Sequence, residues 1–137
     1  MHPAKLIPPV LATTVLASCT FIHGNSENHL DKVDYGQYPS SYARIVTDYM
    51  TDYLLDPQSA VYTNWKGPAK GFLTNGTGVF YGYRVCVDIN TKNKYGMYTG
   101  EKQHLFMIVN NRVVMIEGGH RNGTAEHDQV FNMCSTL

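Results

Sequence analysis

Apolar side chains recur three and four residues apart from Tyr42 onward: Tyr42, Ile45, Val46, Tyr49, Met50, Tyr53 and Leu54. That spacing places them on one face of an amphipathic helix and predicts a core-facing stripe. Ser40, after Pro39, is a suitable N-cap. Asp56-Pro57 ends the run, because a residue before proline avoids the helical region. The period then changes to two. Residues 60–65 (AVYTNW) read as a short strand, and 67–78 as loop-like with a short strand around Phe72. Residues 79–90 are the clearest strand, with Val79, Tyr81, Tyr83, Val85, Val87 and Ile89 on one face. Residues 102–109 and 112–117 flank Asn110-Asn111, and asparagine tolerates the left-handed region that a two-residue hairpin needs. The pattern predicts an α+β fold: one N-terminal amphipathic helix packed on a small antiparallel β-meander of 3–5 strands. The Gly/Asn-rich tail from Gly118 carries Phe131, Met133 and Cys134, which are expected to dock back.

The region ahead of this pattern has a different character. Lys5 is the only charge before an apolar run from Leu6 to Ala17. That run is about a dozen residues, too short for a hydrocarbon core of ~30 Å. A basic start, a short apolar run and small residues at its end describe an export signal. Leu16-Ala17-Ser18-Cys19 resembles the lipobox of bacterial lipoproteins; Pro8 and Pro9, which interrupt a helical apolar region, depart from it. The resemblance implies that 1–18 is a signal peptide, that Cys19 is acylated, and that 19–38 is a lipidated Cys with a flexible tether. A small domain would then span 39–137. It further implies anchoring in the bilayer through Cys19. Thr20, where an Asp would retain a lipoprotein in the inner membrane, fits an outer-membrane location facing the periplasm.

Cysteine usage follows from this. Of Cys19, Cys86 and Cys134, lipidation of the first leaves a pair in an oxidising compartment, where disulfides persist. A Cys86–Cys134 bridge is expected; two separately buried thiols are the alternative.

Composition removes several functions. The chain is 43% hydrophobic and 16% charged with a formal net charge of +0, so no basic field supports a nucleic-acid partner. No GxSxG, HExxH, P-loop or dinucleotide fingerprint is present. His120, Glu126, His127, Asp128 and Cys134 make the best ligand-like cluster, but their spacing matches no standard zinc pattern. His23 and His29 read as solvated linker residues. Cys86 with His104, or Cys134 with His127, would need a free thiolate beside its base. Carboxylates for glycan hydrolysis would come from Asp48, Asp52, Asp88, Glu101 or Glu117, with Asp48 and Asp52 on a solvated helix face. No cofactor, metal or catalytic residue is expected.

The remaining stretch is 90–100, NTKNKYGMYTG, two lysines and two tyrosines among turn residues. Gly96 and Gly100 allow positive φ there, and Asn90 and Asn93 are expected to bond locally to backbone. The span 54–100 resembles a pattern in small, mostly uncharacterised exported bacterial proteins. Its parts are Leu54-Leu55-Asp56-Pro57-Gln58-Ser59-Ala60 and the run Val85-Cys86 through Tyr98-Thr99-Gly100. Val87 and Met97 stand where those sequences often carry Gly. The resemblance implies a small helix-plus-sheet domain and brings no activity with it. The resemblance centres on this loop, so Asn90, Lys92, Asn93, Tyr95, Tyr98 and His104 are the candidate partner-binding set; the alternative is a loop that only shapes the turn between two core strands. The expected function is a non-catalytic binding or structural role in the envelope, as an accessory part of an envelope or secretion assembly with an envelope protein as partner. The alternative is a small periplasmic enzyme, or an inhibitor or exclusion lipoprotein, acting on cell-wall material or a foreign protein.

Overall fold

The computed structural model describes residues 32–137. The lipobox, Cys19, His23, His29 and most of the expected tether lie outside the described residues. The fold is α+β: an open antiparallel four-stranded sheet with two helices. Helix α1 is Tyr42–Tyr53. Strands β1 (Val61–Asn75), β2 (Gly78–Asn90), β3 (Lys102–Val109) and β4 (Arg112–Gly118) follow in sheet order β1-β2-β3-β4. Helix α2, Ala125–Ser135, closes the chain. Among the described residues, no helix is long and apolar enough to cross a membrane.

The alternation along β2 and β3 explains the layering. Val85, Val87, Ile89, Phe106 and Ile108 project from one face and pack with Val46 and Met50 of α1. Cys86, Leu105 and Met107 project from the other and pack with Val130 and Cys134 of α2. Both central strands are therefore apolar on two faces, so each face needs its own cover. The single expected helix becomes two, because the tail folds as α2. The Thr124 side chain caps that helix by accepting the His127 N–H at 3.2 Å.

Three local expectations are corrected. The N-cap of α1 is Ser41 rather than Ser40, and its side chain makes no capping bond. The stretch 67–75 is strand rather than loop, since β1 continues through it to Asn75, and only Gly76-Thr77 turns before β2. Register shifts around Lys66 absorb Gly67-Pro68, and β1 lies at the sheet edge, where a missing N–H is tolerated. Third, Tyr53 stands 61% exposed, whereas Val46 and Met50 are fully buried. The hairpin at Asn110 and Asn111 forms with φ of 48° and 61°.

The β1–β2 ribbon outruns β3, whose pairing with β2 ends at Tyr83↔Ile108. Its exposed face receives the segment just before α1. Tyr35 meets Tyr81 edge-on at 6.2 Å, and Tyr38 meets Tyr83 at 5.4 Å. The Gln37 N–H donates to Asn110 Oδ1 at 3.0 Å, and Asn111 Nδ2 to Gln37 Oε1 at 3.2 Å. The end of the expected tether is thus packed against the sheet.

Candidate functional site

The stretch 91–99 is a built turn. Asn93 Oδ1 accepts the backbone N–H groups of Tyr95 (2.9 Å) and Met97 (3.1 Å). The Asn93 N–H donates to the Met97 carbonyl at 2.8 Å, and the Gly96 N–H to the Asn93 carbonyl at 2.9 Å. One asparagine side chain therefore closes the turn on itself, with Gly96 at φ 77°. Lower down, Lys92 bridges to Tyr98, and the Thr99 N–H reaches the Thr91 carbonyl at 3.1 Å.

The base is fixed from outside the loop. Asp56-Pro57 starts a 3-10 turn, Pro57–Ser59, rather than only ending a helix. Ser59 Oγ accepts the Lys92 N–H at 3.1 Å, and Thr91 Oγ1 donates to the Asp56 carbonyl at 3.2 Å. The two halves of the motif between residues 54 and 100 thus meet in space. Above this base Tyr95, Met97 and Tyr98 are 73%, 60% and 51% exposed. Lys92 Nζ lies 5.4 Å from the Tyr98 ring centroid, and Lys94 Nζ lies 5.0 Å from that of Tyr95.

The six expected partner-binding residues do not form one group. Lys92, Asn93, Tyr95 and Tyr98 share the turn. Asn90 does not bond locally: its Oδ1 is buried without a partner among the described residues. His104 belongs to the α1 side of the sheet, stacked on Phe106 at 6.2 Å. It sits in a shallow depression with Tyr53, Leu54 and Gly119, and no carboxylate lines that depression. Its Nδ1–H donates to the Lys102 carbonyl at 2.8 Å. Burial pushes its imidazole below the usual histidine range, opposed by that backbone bond.

Cys86 and Cys134 are joined in a disulfide, Cα–Cα 5.8 Å, so neither serves as thiolate for His104 or His127. Asp48 pairs with Arg44 at 3.5 Å on the solvated side of α1. Asp88 and Glu101, unlinked in sequence, come to line one depression beside α2 with Gln103, Asn122, His127 and Phe131. Gln103, Asn122 and Phe131 carry no chemical signal of their own along the chain. The register Asp88↔Gln103 and the docking of α2 and the loop before it bring them together. No protein family, curated protein or solved structure matches this chain.

Proposed function

We propose that the chain is a bacterial envelope lipoprotein with a non-catalytic binding role. In this reading 1–18 is removed, Cys19 is acylated, and the tether holds the α+β domain at the periplasmic face of the outer membrane. The turn at 91–99 recognises an envelope protein, as part of an envelope or secretion assembly. The observation that carries the reading is a rigidly bonded turn that holds Tyr95, Met97 and Tyr98 out in solvent. Aromatic side chains on a pre-ordered backbone lose little freedom on docking, and such residues dominate protein interfaces. The disulfide supports an oxidising compartment. The resemblance of 54–100 to exported bacterial proteins agrees with it.

A photo-crosslinking amino acid at Tyr95, in cells of the source bacterium, tests the partner. The expected result is one discrete adduct that is absent when the crosslinker replaces Leu55, itself 85% exposed. An Asn93→Ala background should lose the adduct, because the turn is no longer held. Identical adducts at positions 95 and 55 would sink the proposal. For the anchor, Cys19→Ser should move the protein from the membrane to the soluble fraction; unchanged fractionation would refute lipidation.

A further inference from the structure

The sheet face under α2 changes character within one step of the register. Cys86 and Leu105 are paired and fully buried beneath the helix. The next pair on that face is Asp88↔Gln103. Here α2 no longer covers the sheet, and adjoining depressions of about 330 Å³ and 390 Å³ open, sharing Asp88, Gln103 and Phe131. Gln103 Oε1 is buried and has no hydrogen-bond partner among the described residues. An acceptor left so is costly unless a donor arrives from outside.

The other groups are held ready. Asn64, at φ 53°, gives its Nδ2 to Asp88 Oδ2 at 2.8 Å, leaving Oδ1 of that carboxylate to accept elsewhere. Thr63 donates to Glu101 Oε1 at 2.9 Å, leaving Oε2 in the same position. The wall on the α2 side is aromatic. His127 and Phe131 stack at 6.2 Å with 19° between planes, and Phe131 is 54% exposed.

These features select among ligands. Two carboxylates oppose an anion, and Lys66 Nζ is turned to the Cys134 carbonyl at 3.2 Å. At the outer end Lys102 and Arg121 line the same depression as Glu101, so local charge balances and favours a neutral ligand. A floor of carboxylate and amide acceptors excludes a purely apolar one. A pyranose ring satisfies both surfaces, because its edge hydroxyls donate and accept while its C–H face lies flat on an aromatic ring.

We propose that the groove between α2 and the β2–β3 strand ends is a binding site for a neutral glycan. Sugar hydroxyls donate to Asp88 Oδ1 and, as the Gln103 amide turns outward on binding, to its Oε1, and a ring face stacks on Phe131. This site stands apart from the turn at 91–99.

Calorimetric titration of the full-length chain in a zwitterionic detergent, with chitotetraose, cellotetraose and maltotetraose, tests it. Proton–nitrogen NMR of the Gln103 side-chain amide runs alongside. The expected result is saturable binding of at least one oligosaccharide by about 10 mM, with the Gln103 amide signal moving. Gln103→Ala and Phe131→Ala should each weaken it about tenfold. Phe131 is exposed, so its variant keeps the test open should Gln103→Ala fail to fold. Tyr95→Ala should bind sugar like the parent protein. No binding of any of the three, or full affinity in both groove variants, overturns the proposal. Loss of sugar binding in Tyr95→Ala would do the same.

Discussion

His104 is the only buried polar or charged residue among those described, 8% exposed between α1 and the sheet. Burial disfavours its charged form, and the bond from Nδ1–H to the Lys102 carbonyl holds it in place. The folded protein therefore resists a proton that the unfolded chain accepts below about pH 6.5. Above that value both states carry a neutral ring, and the contribution to stability is complete. As pH falls through it, the unfolded state binds more protons and stability declines. Urea midpoints measured from about pH 7.5 down to about pH 5.5 should fall for the parent chain and fall less for His104→Phe. Phenylalanine keeps an aromatic ring beside Phe106 and removes the titration. Parallel pH profiles would mean that His104 is not the responsible group.

At the scale of elements, Gly82 controls where β3 meets the β1–β2 ribbon. A Cβ there would lie 2.6 Å from the Ile108 carbonyl oxygen, 2.7 Å from Val109 Cγ2 and 2.9 Å from Met107 Sδ. A backbone oxygen cannot swing aside as a side-chain end can. Gly82→Ala should therefore cost about 1–3 kcal/mol in chemical denaturation. Gly78→Ala meets nothing within 4 Å and should stay within about 0.5 kcal/mol of the parent. Equal effects at the two positions would contradict the close approach. The alternation of β2 and β3 and the hairpin asparagines were legible in the sequence, since each is a local signal. The outer half of β1 was not, because Gly67-Pro68 reads as a break, and only pairing with β2 holds that stretch extended. Asn75-Gly76 was a missed hairpin signal: Asn75 Oδ1 accepts the N–H groups of Thr77 and Gly78 at 2.9 and 3.1 Å. The turn at 91–99 was visible as a loop of exposed tyrosines. Its anchoring by Ser59, 33 positions before Lys92, needed the fold. The groove was invisible for the same reason, since Asp88, Gln103 and Phe131 are joined only by register and by the docking of α2.

At the scale of the whole molecule, α2 depends on one covalent link. It is 11 residues long and buries only Val130 and Cys134 fully. A helix of that length is marginal by itself in water. The Cys86–Cys134 bridge, spanning 48 positions, holds it to the central strand. Closing a loop of that size restricts the unfolded chain by roughly 4 kcal/mol, a large share of a small domain's stability. The bridge also sets the Phe131 wall beside Asp88 and Gln103, so the groove and the fold rest on the same bond. The double variant Cys86→Ala, Cys134→Ala should lose about that much in urea denaturation under oxidising conditions. With reductant present the parent should fall to meet it. Amide exchange should locate the damage, with the Val130–Cys134 turn of α2 opening faster while β2 and β3 keep their protection. A parent chain whose urea midpoint ignores reductant would show that packing, against Leu73, Leu105 and Met107 among others, holds α2 without the bridge.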